Sequence, residues 1–158
     1  MTDRSEIIAL LRRMPDDVQS ACQGLTEEQM RRRPRPGEWS MLELVCHLRD
    51  SAAEEGLRVR RLVEEDSPTL VPYDQDALAV ERNYQAEDPA KALTGLRAFF
   101  SGLAYQLENL SDQEWDRGGL HPESGPVTVR SRAELEVPHA REHLAQMQAV
   151  RAAISPLA

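Results

Sequence analysis

Two of the chain's four histidines, His139 and His143, stand four residues apart. On a helix that spacing puts both imidazoles on one face, close enough to share an ion. A third, His47, is distant in sequence and joins them only if a facing helix presents it. Imidazole suits zinc, nickel, iron and copper alike, with zinc the default expectation. Three neutral imidazoles leave positions on such an ion open, as catalytic sites do and closed structural sites do not. The competing chemistry is a set of core histidines bonded to backbone or carboxylate neighbours, because a buried polar group without a partner is costly. Spacing alone leaves both readings open.

Other residues qualify or exclude variants of this chemistry. Glu136-Val137-Pro138-His139 forms a Glu-x-x-His element, which di-iron bundles use twice. Here it occurs once, since no Glu precedes His47, His121 or His143 by three positions. Glu136 is therefore read as a carboxylate that orients an imidazole or ligates occasionally. Asp50 and Glu54 are further candidates for orienting imidazoles or moving protons, or are solvated helix residues. Cys46 points about 100° away from His47 on a helix and is rejected as a co-ligand. His121, followed by Pro122 in a glycine-rich stretch, reads as a turn or pocket-rim residue.

Helices are needed to bring these residues together, and the apolar spacing supplies four long ones. Ile7, Leu11, Met14, Val18, Cys22 and Leu25 repeat in steps of four and three, marking a first helix from near Asp3, with a kink expected at Pro15. Thr26 to Gln29 offers a capping box for a short turn. Ser40 and Glu43 form a second box, opening a helix whose stripe runs through Leu44, Val45, Leu48, Ala52, Val59 and Leu62 and stops before Ser67-Pro68. His47 lies at the edge of that stripe. The segment from Leu70 to Glu87 reads as a long connection with one short helix over Asp74–Tyr84.

Asp88-Pro89 supplies an N-cap with proline at the first helical position, followed by the seam Leu93, Leu96, Phe100, Leu103, Leu107 and Leu110. Ser111 to Arg130 is expected to be an irregular, glycine- and proline-rich loop. Ser131 and Glu134 repeat the capping-box pattern, from which the last helix carries Ala140, Leu144, Met147, Val150 and Ile154. The expected fold is thus all-α, a four-helix bundle with a long connection between its second and third long helices.

Composition sets the frame. At 158 residues, one domain spanning 1–158 suffices, because a single core of this size buries roughly 70% of the unfolded chain's surface. The net charge of −8 opposes binding to nucleic acid or anionic lipid. Arg31, Arg32, Arg33 and Arg35 cluster locally, but Pro34 and Pro36 make that stretch a solvated connector rather than a groove-reading helix. Two cysteines without C-x-x-C spacing suit a reducing compartment. Neither a signal-peptide pattern nor a membrane-length apolar run is present, so the expectation is a cytoplasmic protein without membrane or nucleic-acid partners.

Several of these residues form a recognisable set: Pro36-Gly37-Glu38-Trp39-Ser40, then Glu43 and His47-Leu48-Arg49-Asp50, then His139-Ala140-Arg141-Glu142-His143-Leu144-Ala145-Gln146. Together they resemble the DinB/YfiT-like superfamily of metalloenzymes, and the similarity extends from the first helix to Ile154. The resemblance implies a four-helix bundle with His47, His139 and His143 around a divalent metal, zinc by default, with nickel or iron as alternatives. It also implies a metal-dependent transferase that moves a low-molecular-weight thiol, of bacillithiol or glutathione type, onto an electrophilic small molecule. A coordinated thiol loses its proton at neutral pH, and here a small thiol cosubstrate would supply it rather than Cys22 or Cys46. Alternatives within the same frame are a metal-dependent hydrolase and a non-catalytic, stress-related bundle, possible as a homodimer. Two positions depart from the family's pattern: Ala52, often acidic in relatives, and Pro138, expected to distort the helix beside His139.

Overall fold

The computed structural model describes residues 2–155. Its long helices are α1 (Arg4–Cys22), α3 (Met41–Glu64), α5 (Pro89–Glu108) and α7 (Val129–Ile154). Between them lie α2 (Glu27–Arg31), α4 (Gln75–Glu81) and α6 (Asp112–Trp115), with a short 3-10 turn at Tyr84–Ala86. Strands β1 (Gly118–His121) and β2 (Gly125–Thr128) form one antiparallel hairpin before α7. Among the described residues no helix is long and apolar enough to cross a membrane.

The four long helices make a bundle with an unusual neighbour order. α3 packs on α5 and α7, and α1 packs on the same two, so the ring runs α1–α5–α3–α7. α1 and α3 are therefore diagonal despite following one another in sequence. Fully buried Leu11, Met14, Leu44, Leu48, Leu62 and Phe100 fill the centre. At one edge Trp115 is also fully buried, and its ring N–H donates to the Leu107 carbonyl at 3.1 Å.

Most boundaries follow local capping chemistry. Thr26 and Gln29 cap α2 reciprocally, and Ser40 and Glu43 do the same for α3. Asp88 caps α5 by accepting from the N–H groups of Ala90 and Lys91. α1 and α7 both continue through their interior prolines, Pro15 and Pro138. Proline removes one backbone bond, but buried side chains on both sides, Met14 and Val18, or Val137 and Ala140, hold the helical path.

Three segments differ from expectation. The short connecting helix ends at Glu81 rather than Tyr84, because Asn83 turns left-handed at φ 49° and a 3-10 turn follows. The stretch from Ser111 to Arg130 is ordered as α6 and the hairpin, not an irregular loop. It docks on the α3–α4 connection, where the Leu70 N–H donates to the Leu120 carbonyl at 2.8 Å and the Leu120 N–H to the Pro68 carbonyl at 2.9 Å. Gly119 is required there, since a Cβ would stand 2.4 Å from the Pro68 oxygen. Finally, α7 begins at Val129: Thr128 and Ser131 form its capping box, so Ser131 is the third helical residue and not the cap.

Glu43 ties three elements together. It accepts from the Ser40 N–H at 2.8 Å, from Arg33 Nε at 3.0 Å and from Gln85 Nε2 at 3.0 Å. Burial pushes its carboxyl upward, but Arg33 and Ser40 more than offset this and hold it below the usual carboxylate value. A depressed folded pKa contributes stability above the unfolded value that disappears as pH falls through the folded one. Glu43→Gln should lower unfolding free energy by about 1–3 kcal/mol at pH 7. In urea titrations, the gap to the native protein should narrow as pH drops below about 4.

Candidate metal centre

α3 and α7 face each other in opposite directions, with position 47 of α3 opposite 139 and 143 of α7, and position 55 opposite 132. Two successive turns in the middle of α7 and the second turn of α3 thus deliver three imidazoles to one point. His47 Nε2 lies 3.2 Å from His139 Nε2 and 3.1 Å from His143 Nε2. The rings meet edge to face, at interplanar angles of 81°, 66° and 89°. These three residues form the group of potential ligand atoms lying within 4.8 Å of one another, and among the described residues no carboxylate joins them.

Hydrogen bonding among the rings does not account for this arrangement. A neutral imidazole nitrogen carries one proton or one lone pair, so His47 Nε2 makes at most one good bond to the two nitrogens facing it. A common cation satisfies all three. With metal–nitrogen bonds of about 2.0–2.1 Å, ligand nitrogens stand about 2.9 Å apart at right angles and about 3.4 Å apart in a tetrahedron, bracketing the two separations seen here. The donor types and these two separations fit a divalent ion.

Neighbouring groups set the protonation and tautomer of the rings. Burial, reinforced by His143 and His139, pulls His47 down to about 3, leaving a neutral ring. Burial and His139 likewise lower His143. His143 Nδ1 pairs with Gln146 Oε1 at 2.9 Å. An amide oxygen only accepts, so the proton sits on Nδ1 and the Nε2 lone pair faces the cluster. For His139, burial acts downward but Glu136 outweighs it, and the net shift is upward. The Glu136 carboxylate lies 3.6 Å from His139 Nδ1, an ion-pair separation longer than a hydrogen bond, and that nitrogen has no hydrogen-bond partner. Trp39, two residues before the first residue of α3, lies against His47 with ring centroids 4.9 Å apart.

The remaining candidates fall outside the cluster. Asp50 is held by Arg49 at 2.9 Å, Tyr84 at 2.5 Å and Arg82 at 2.9 Å, and none of its bonds reaches an imidazole. Those partners hold its carboxyl below the usual range against the upward pressure of burial. Glu54 pairs with Arg58 at 3.2 Å. His121 is a turn residue: its Nδ1 accepts from the N–H groups of Glu123 and Ser124 at 3.2 and 3.3 Å.

Beside the cluster lies an ion-pair network that sequence reasoning missed. Buried Glu55 accepts from Arg58 at 2.8 Å and from Arg132 Nε at 3.1 Å, joining α3 to α7. Helical spacing was the available signal, since Glu55 falls two turns after His47 and Arg132 two turns before His139.

The bundle and its cluster define a candidate metalloprotein of the all-α class, and the comparisons supply its relatives. The chain matches the DinB superfamily over residues 10–147 and belongs to that family. It is 28% identical to YfiT of Bacillus subtilis, covering 89% of this chain and 79% of YfiT, and 30% identical to GK0616 of Geobacillus kaustophilus, covering 92% and 83%. Both relatives are named as candidate metal-dependent hydrolases. The solved structure of YfiT, described as a four-helix bundle of unusual topology, superposes with a TM-score of 0.85 over 93% of this chain and 85% of that one. A mycothiol-dependent maleylpyruvate isomerase shares the fold, with a TM-score of 0.69 at 13% identity, covering 92% of this chain and 60% of the isomerase.

Both cysteines are buried, and burial raises each thiol to about 12. Ellman's reagent should therefore find no reactive thiol in the native protein at pH 8 and both after denaturation.

Proposed function

We propose that His47, His139 and His143 hold one divalent ion and that the protein is a metal-dependent enzyme transferring a low-molecular-weight thiol to an electrophile. The observation that carries this reading is the convergence of three imidazole nitrogens with no carboxylate among them. When bound, the ion would supply positive charge and open positions at which an incoming thiol loses its proton.

The chain's own residues support the thiol reading in three ways. Cys22 and Cys46 are buried and stay protonated, so the sulfur nucleophile comes from outside. Gln146 fixes the His143 tautomer, and Glu136 lies along the Nδ1 edge of His139, away from the point where the Nε2 atoms meet. Among the described residues no carboxylate joins the three imidazoles, which leaves the ion's positions not taken by histidine to an incoming ligand such as a thiol. In the transfer, a carbon–sulfur bond forms, the leaving group departs with its bonding pair, and the thiol proton passes to solvent. Hydrolysis is the second reading, favoured by the names of the relatives.

Protein purified without an affinity tag should contain about one equivalent of zinc, nickel or iron by elemental analysis. His143→Ala should lose it, and Gln146→Leu should bind it about 10–100-fold more weakly. The metal-loaded protein should conjugate a panel of cellular thiols to an aryl chloride, and chelation should abolish the reaction. Metal at well below stoichiometric level, unchanged by His143→Ala, would remove the basis of the assignment. Metal-dependent ester cleavage without conjugation would favour hydrolysis.

A further inference from the structure

The α3–α4 connection carries Tyr73 back over the side of α3 on which the three imidazoles meet. Buried Arg58 of α3 holds it there: Nη2 donates to the Val71 carbonyl at 3.0 Å, and the guanidinium lies over the Tyr73 ring, 5.6 Å from its centroid. Val71 itself is exposed, so the tie to Arg58 fixes a stretch that is otherwise solvated. The phenol stands beside the buried Ser51 hydroxyl and within the field of Glu136 on α7. Ser51 follows His47 by one turn of α3, and Glu136 precedes His139 by one turn of α7. Because the two helices run in opposite directions, both steps go the same way from the cluster. The hydroxyl is thus displaced along the α3–α7 seam by about one helical turn, roughly 5–6 Å, from the level of the imidazoles.

We propose that Tyr73 is a catalytic residue whose hydroxyl gives its proton to the oxygen departing from the electrophile, and that the electrophile is an epoxide. This rests on the thiol-transfer reading above. One helical turn leaves room between imidazoles and phenol for a reacting carbon and the atom that leaves it. A departing alkoxide is a strong base and needs a proton as its bond to carbon breaks, whereas a departing chloride needs none. The surroundings of the phenol suit that task. Ser51 is placed to donate to its oxygen, and Arg58 holds a positive charge over its ring, so both favour the phenolate. Burial, with Glu136 and Glu55, outweighs them and keeps the resting phenol protonated, above its ordinary pKa. A donor that is protonated at rest and stabilised once it has given up its proton is what general acid catalysis requires. In the step, the carbon–sulfur bond forms as the carbon–oxygen bond breaks. The oxygen keeps the bonding pair and takes the phenol proton, and the phenolate is reprotonated from the solvent that received the thiol proton.

Tyr73→Phe removes one oxygen from a partly exposed ring and should leave circular dichroism and zinc content unchanged. With the panel of cellular thiols, conjugation of styrene oxide by the zinc-loaded protein should fall about 100-fold in Tyr73→Phe. Conjugation of an aryl chloride should be nearly unchanged. Ser51→Ala should slow the epoxide reaction in the native background and add nothing to Tyr73→Phe. Binding gives a second readout. By calorimetry the zinc-loaded native protein should take up 2-mercaptoethanol about fivefold more tightly than ethanethiol, the worth of one hydrogen bond from Tyr73, and Tyr73→Phe should abolish the difference. Equal losses with both electrophiles, no loss with the epoxide, or a native protein active on the aryl chloride but not on the epoxide overturns the role of Tyr73 and leaves thiol transfer standing. A native protein that conjugates neither electrophile and binds neither thiol overturns thiol transfer and this proposal together.

Discussion

Nε2 of His47 faces two other imidazole nitrogens at hydrogen-bond distance, and a neutral ring nitrogen has one proton or one lone pair with which to answer them. The helices on which the three histidines stand are tied together by the Glu55–Arg132 pair. Burial also opposes protonation of His47 and His143, so charging those rings to relieve the conflict is disfavoured. A shared electrophile would answer all three nitrogens, and the two separations suit a divalent cation. Much of the surrounding structure can be understood as maintaining that convergence.

Holding two helices in a fixed register requires contacts on both sides of the site. On one side Glu55 clamps Arg132, two helical turns from the histidines, so α7 cannot slide along α3 without breaking a buried charge pair. On the other side the Ser40–Glu43 cap, together with Arg33 and Gln85, fixes where α3 begins and places Trp39 against His47. The diagonal order of the bundle has a further consequence. α3 touches α5 and α7 and leaves a third face outward, so one helix serves the core, the histidine cluster and an exposed groove against α5 at once.

Much of this was legible in the sequence because capping and periodicity are local. Thr26, Ser40 and Asp88 each mark a helix start through bonds that span three residues, and the structure shows those bonds. The start of α7 was misread because Ser131 and Glu134 also match a capping box. Thr128 and Ser131 take that role instead, and Glu134 is left with a buried oxygen that lacks a partner. The hairpin was hidden for a different reason: its order comes from docking on the α3–α4 connection, where Gly119 answers a steric demand set by Pro68. The four-residue spacing of His139 and His143 was visible, but the place of His47 beside them depends on packing between helices. Glu55 and Arg132, 77 positions apart, are likewise joined only by the fold.

Histidine ring nitrogens can be observed directly by long-range proton–nitrogen correlation spectroscopy, which reports tautomer and coordination for each ring. Titrating zinc into the metal-free protein should shift the Nε2 signals of His47, His139 and His143 together, saturating at one equivalent. His143 should keep its proton on Nδ1, and the signals of His121 should stay where they are. If the three Nε2 signals do not move, or if zinc acts on His121 instead, the convergence is not a metal site and the account fails at its centre.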